Sequence, residues 1–357
     1  MTFPSDPPTD AASPVATQRR AWATLVITGL IIGTAFIAVY VGLQRSPQPS
    51  RLPIAVVSER LADTAQAGFG SSVAVTEVAS VADGETMVRH GDAVAVLGAT
   101  SPTTLTLDYA GASGLSESGA ARQLAAGLAE KAGATIQEND IVPLATYDSR
   151  GLSAFYVVFG VTLSSFVLAQ GLTAATAKVR LRHRLVAMGG FAVAIGVIAA
   201  TVAGPIYGSL TAPFPLLALS LILLSAASAF TTKALGAWLG PAGIALAVLT
   251  LTTIGNATSG ATIGIDLLPA WAQAISAKLP PGAAVRAVNN FGYFDGAHTV
   301  APLAILATWF LAGLGFVLLR QRTAKRRPLT AEPVSLGHDA SGRRPVGEDG
   351  VESVQGA

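Results

Sequence analysis

Residues 21–43, AWATLVITGLIIGTAFIAVYVGL, form an unbroken apolar run directly behind Arg19 and Arg20. Roughly 20 apolar residues in helical conformation cross the ~30 Å hydrocarbon core of a bilayer, so this run is of spanning length. A basic region before an apolar one is also the order found in a cleaved signal peptide. No small-x-small site follows Val41, however, and the run exceeds a signal core, so we read an uncleaved membrane anchor.

Five further runs follow, at residues 152–177, 185–206, 213–231, 235–254 and 300–319, and none contains Asp, Glu, Lys, Arg or His. The expected fold is therefore an α-helical integral membrane protein with six transmembrane helices in a 1+5 arrangement. Composition agrees. Of 357 residues 12% are charged, against about 25% in soluble domains, and mean hydropathy is +0.54.

Between the first run and the rest, residues 44–151 change character, holding seven Lys or Arg and twelve Asp or Glu. LPIAVV (52–57), SSVAVTEVA (71–79), DAVAVLGA (92–99) and TLTLDYAG (104–111) read as strands. ESGAARQLAAGLAEKAGA (117–134) reads as a helix and ETMVRHG (85–91) as a helical turn. The expectation is a water-exposed α+β domain. Residues 1–20 and 321–357 are polar and proline-bearing, and are expected to be disordered tails.

Orientation follows from basic residues beside the spans, which are retained on the cytoplasmic side. With six spans, twelve Lys or Arg fall on one side: Arg19, Arg20, Lys178, Arg180, Arg182, Arg184, Lys233, Arg320, Arg322, Lys325, Arg326 and Arg327. The connections on the other side, residues 207–212 and 255–299, hold only Lys278 and Arg286. Both termini are thus expected in the cytoplasm, with residues 44–151 extracytoplasmic, in a plasma membrane. The pI near 9.0 then reflects attraction to the bilayer surface and not to nucleic acid.

The pattern excludes several chemistries. Cysteine is absent, which removes disulfides and thiolate catalysis. No Gly-Lys pair exists from which to build a P-loop, and His90, His183, His298 and His338 show no ligand spacing. GASGLSESG, around Ser113 and Ser116, does not fit a nucleophile elbow. No catalytic residue, cofactor or metal site is expected, and the chain is read as a non-enzyme. The spans carry no ionisable side chain for a proton or ion relay.

The most structured polar feature among the spans is residues 255–299. DLLPAWAQAISAKL (266–279) places Leu267, Trp271, Ile275 and Leu279 four apart, a helical stripe suited to a membrane interface. Pro280-Pro281-Gly282 forces a turn, AAVRAVNN can form a second helix, and Phe291, Tyr293 and Phe294 suit the headgroup zone. Pro269, Trp271, Pro280, Pro281 and Tyr293 are the candidate elements of a translocation path, with an anchoring surface loop as the competing reading. Asn256-Ala257-Thr258 is a glycosylation sequon.

This order, together with LPIAVVSE after the first span, DIVPLATYDSRGLSAFYVVFG entering the second and LLPAWAQAISAKLPPGAAVRAVNNFGYFDG before the last, resembles the type-two ABC exporter permeases. It is most similar to their phage-infection-protein-like branch, over about residues 21–320. The resemblance implies a permease subunit that exports an amphipathic substrate, works as a homodimer or heterodimer and couples to a cytoplasmic ATPase subunit. The inner connections, residues 177–184 and 232–234, are shorter than the ATPase-docking segments of such permeases. The alternative is a non-transporting membrane scaffold or receptor whose outer domain binds cell-envelope or secretion partners.

Overall fold

The computed structural model describes residues 14–174 and 179–325. The outermost parts of both expected tails, and Lys178, lie outside the described residues. The α+β domain contains β1 (Leu52–Val57), α2 (Glu59–Phe69), β2 (Val73–Val78), α3 (Val81–His90), β3 (Ala95–Ser101), β4 (Thr104–Tyr109), α4 (Leu115–Ala132) and β5 (Thr135–Asp140). Its sheet runs β2-β1-β3-β4-β5 and is mixed: only the β3–β4 hairpin pairs antiparallel.

Alternation along each strand divides side chains between two cores. Leu52, Ile54, Val56, Ala95 and Leu97 face α2 and α4, where Ala65, Ala121, Ala125 and Leu128 cover them. Ala55 and Val96 point the other way, towards Val88 of α3. The close seat of α3 depends on Gly84, because a Cβ there would collide with Val96. Ser80 caps α3 by accepting the Asp83 N–H at 3.2 Å, and Gly91 ends it at φ 75°.

Outside this domain the chain forms the helices α1 (Pro14–Gln44), α5 (Ser153–Ala174), α6 (Leu181–Thr201), α7 (Phe214–Leu239), α8 (Pro241–Ala247), the single turn α9 (Gly255–Ala257), α10 (Ala270–Ser276), α11 (Pro280–Tyr293) and α12 (Val300–Lys325). A π-helical turn, Val202–Ile206, extends α6, and a π-helical stretch, Val248–Ile254, joins α8 to α9. Among the described residues, five segments are long and apolar enough to span a membrane: Trp22–Gln44, Ser153–Thr173, Leu181–Ile206, Phe214–Leu239 and Val300–Thr323. The remaining expected span, residues 235–254, does not reach that length.

The difference lies at Lys233. The charge reads as a loop between spans 213–231 and 235–254, yet α7 runs through it to Leu239 and Lys233 is only 3% exposed. Gly240, at φ 59°, and Pro241 make the break instead. What remains, Pro241–Ala257, is a shorter apolar helix. Two other expectations move in the same way. α1 begins at Pro14, a residue suited to a first helical turn, and α12 continues to Lys325, so both helices extend into the expected tails.

α7 is the centre of the bundle, with α5, α6, α11 and α12 packed on it. Small residues allow the approach. A Cβ on Gly196 would strike the backbone of Ile222, and one on Gly313 the backbone between Phe230 and Thr231. Ser165 of α5 and Ser225 of α7 share a buried hydrogen bond of 2.7 Å. α1 stands apart: it packs chiefly along the π-helical stretch and α9, and no residue of its spanning window is buried. Asn256 of the sequon is buried and donates its Nδ2 to the carbonyls of Leu251 and Thr252, so glycosylation there is incompatible with this fold.

Candidate functional site

The five residues singled out in the sequence occupy different positions around one junction, between the α+β domain and the helices. Only α10, seven residues long, is regular within 266–279; Ile265–Leu267 forms a 3-10 turn before it. Its buried face consists of Ala272 and Ser276, whereas Trp271 is 55% exposed. The expected apolar stripe is therefore split, with Leu267 buried and Trp271 turned outwards.

Trp271 and Pro269 line a cavity of about 750 Å³ with Ala38, Val39, Gly42 and Leu43 of α1. Ser46, Gln48 and Ser50, where α1 leads into the domain, add polar groups to its wall. Apolar surface thus continues into hydrogen-bonding surface within one space.

Pro280 and Pro281 do not line this cavity; they take the first two positions of α11, where missing N–H groups cost nothing. Both are buried. From Pro280 to Val285 every residue is buried, and Ala283, Ala284, Val285 and Val288 join the main helical core with Leu217, Leu221 and Leu306. Residues 280–285 thus form the start of a buried helix and not an exposed turn. Gly255 allows the close contact, because a Cβ there would press on the ring of Pro281. The Trp309 indole N–H donates to the Lys278 carbonyl at 2.8 Å, which ties the α10–α11 turn to α12.

Tyr293 sits at the far end of α11, away from the other four. Its hydroxyl accepts the Ala145 N–H at 3.3 Å. Burial pushes its hydroxyl pKa up. The next residue, Phe294, is 7% exposed and is part of the second core of the α+β domain, its ring against Gly91. His298 Nε2 lies 2.9 Å from Asp92 Oδ1, a further bond across the same junction.

The sequence reading missed a second cavity, of about 290 Å³, enclosed by both halves of the chain and lined by Glu117, Asp266, Arg286, Asn289, Asn290 and His298 among others. Glu117 of α4 is 5% exposed, and Oε1 accepts the Asp266 N–H at 2.9 Å. Burial first, and then the Asp266 charge, push the Glu117 carboxyl up to about 8. Burial pushes Asp266 up to about 6. Arg286 donates to the Ser276 Oγ and carbonyl, both at 3.2 Å, and burial lowers its pKa. Asp266 and Arg286 stood out as charges in a mostly uncharged stretch; Glu117, on an Ala-rich helix with a solvent-facing composition, carried no such signal.

Comparisons with protein-family models, curated proteins and solved structures found no match to this chain. The site's meaning therefore rests on its own geometry. No group of three His, Cys, Asp or Glu capable of holding a metal occurs among the described residues.

Proposed function

We propose that this chain is a membrane permease subunit of an ABC-type exporter that moves an amphipathic substrate outwards, driven by a cytoplasmic ATPase subunit. The observation that carries the reading is the cavity between α1 and α10, where apolar and hydrogen-bonding walls meet beside the α+β domain. A molecule with an apolar body and a polar end matches both surfaces. Pro241–Ala257 supplies the sixth crossing in this reading, since 17 residues lie at the short end of the spanning range. Both termini then lie in the cytoplasm and the α+β domain outside. The unburied length of α1 supports a second permease chain, identical or related, as a neighbour.

Reconstitution with the ABC-type ATPases of the same cell tests this. A complex whose ATP hydrolysis rises with an amphipathic fluorescent probe, and which exports that probe, is the expected result. Trp271→Ala should weaken the stimulation. Failure to associate with any such ATPase, with crosslinks from the α+β domain to envelope proteins instead, would establish the scaffold or receptor alternative.

A further inference from the structure

The cavity of about 290 Å³ between the α+β domain and the helices holds groups of opposite charge on separate elements. Glu117 comes from α4, Asp266 from the 3-10 turn before α10, and Arg286 from α11. The lining reaches from His90 and His298, which are exposed, to Glu117 and Ser259, which are buried. A polar space with a charged interior is thus open to solvent on one side.

The opposite charges share this space without closing on one another. Among the described residues Arg286 forms no ion pair with Glu117 or Asp266; its two Nη groups donate to the Ser276 Oγ and carbonyl, both at 3.2 Å. Those bonds fix the guanidinium and leave further N–H donors on it. Glu117 is fixed as well: Oε1 accepts the Asp266 N–H at 2.9 Å, and its carboxyl group lies where a Cβ on Gly264 would be. Asn289 and Asn290, three and four residues beyond Arg286 on α11, line the same cavity and add amide donors and acceptors.

Two carboxyl groups and a guanidinium, held apart in one small cavity, are the complement of a molecule that carries both an ammonium and a carboxylate. The ammonium lies against Glu117 and Asp266, and the carboxylate accepts forked bonds from Arg286 beside the two amides. Burial favours a ligand with both charges over one with a single charge, which leaves the opposite wall desolvated and unpaired. Volume sets the size: the cavity is at the low end of the roughly 300–1,000 Å³ usual for small-molecule sites, which suits a molecule as compact as an amino acid.

We propose that this cavity binds a free α-amino acid as its zwitterion, with the ammonium at Glu117 and Asp266 and the carboxylate at Arg286. The ligand then joins α4 of the domain to α11 of the bundle and fastens the seam between them. The site depends on neither transport nor an ATPase. Binding is linked to a proton. Burial and then the Asp266 charge raise Glu117 to about 8, and burial raises Asp266 to about 6, so between these values the pair carries about one negative charge. An ammonium favours the second charge and drives the proton off Glu117. The other charged or titratable groups of the lining are Arg286, His90 of α3 and His298, whose Nε2 lies 2.9 Å from Asp92 Oδ1. Affinity should rise between pH 6 and 8, by up to about tenfold per unit.

The test measures thermal midpoint and heat of binding for the full-length protein in nanodiscs, with the standard α-amino acids as probes. At least one should raise the midpoint at millimolar concentration and release a proton between pH 6 and 8, seen as a heat that varies with the ionisation enthalpy of the buffer. Its α-hydroxy acid, which lacks the ammonium, and its primary amide, which lacks the carboxylate, should each bind about tenfold more weakly or worse. Glu117→Gln should lose the proton release and about tenfold in affinity, and Arg286→Gln should no longer distinguish the amino acid from its amide. Because each readout is a change caused by the ligand, a variant with an altered baseline remains informative. Glu130→Gln, exposed on α4 and outside the cavity, should behave as wild type. No response to any amino acid, equal binding of the hydroxy acid or the amide by wild type, or unchanged binding by Glu117→Gln would overturn the proposal.

Discussion

Glu117 accepts a hydrogen bond from the backbone N–H of Asp266 at 2.9 Å, across the seam where the α+β domain meets the helices. One residue upstream the contact is repeated, as Ser116 Oγ accepts the Gly264 N–H at 3.0 Å. The Ser50 N–H donates to the Asp266 carbonyl at 2.7 Å. Three chain segments distant in sequence are thus joined around one buried carboxyl group, Glu117, and one half-buried, Asp266.

That pair makes docking pH-dependent. Folding raises the Glu117 carboxyl from 4.5 to about 8 and the Asp266 carboxyl from 3.8 to about 6. A raised carboxyl pKa means that the docked state binds more protons than the undocked one. The stabilising contribution is complete below about pH 4 and declines as pH rises through 6 and then 8. Thermal midpoints should fall across pH 5–8 for wild type. Glu117→Gln, which keeps the acceptor oxygen and cannot ionise, should flatten the upper part of this decline and exceed wild type above pH 8.

Gly264 permits the same contact sterically. A Cβ there would collide with the Glu117 side chain, while the backbone, at φ −54°, would accept any residue. Gly264→Ala should therefore cost about 1–3 kcal/mol by overpacking, and Glu117→Ala in the same chain should recover part of it. Chemical denaturation of the single and double variants measures this.

Tyr293 and Phe294 contribute unequally to the seam. Tyr293→Phe removes one hydrogen bond and should cost about 1 kcal/mol. Phe294→Ala empties a place in the second core of the domain and should cost about 3 kcal/mol or more. Hydrogen exchange should rise around Gly91 and Val142 in the second variant and little in the first.

Helix contact depends on absent side chains in the same way. Gly313 of α12 sits against the backbone of Phe230 and Thr231, so Gly313→Leu should separate α12 from α7 and lower the thermal midpoint in detergent. Gly315 has open space around its Cβ position, and Gly315→Leu should leave the midpoint nearly unchanged.

Much of this architecture is visible in the sequence, for physical reasons that also explain the misses. β1 and β4 were legible because apolar and β-branched residues recur there. β5, TIQEND, was not: it is an edge strand whose side chains are mostly exposed, so pairing to β4 fixes it without an apolar pattern. α2, ERLADTAQAGF, buries only Ala62 and Ala65, too few to show a stripe. Lys233 misled because a charge usually marks water, and here it faces a cavity. Pro280 and Pro281 read as a turn and are the start of a buried helix, which needs the bundle around it to be recognised. The pairing of Glu117 with Asp266 joins residues far apart along the chain, and nothing local announces it.

The proposed function requires the α+β domain and the basic helix ends to lie on opposite sides of a membrane. The chain has no cysteine, so single cysteines can be placed at will. Gln123 and Glu130, exposed on α4, and Arg182, exposed at the start of α6, are suitable positions. In intact cells a membrane-impermeant maleimide should label Gln123→Cys and Glu130→Cys, and should reach Arg182→Cys only after the membrane is opened. Labelling of Arg182→Cys from outside, or protection of both α4 positions, would contradict the account.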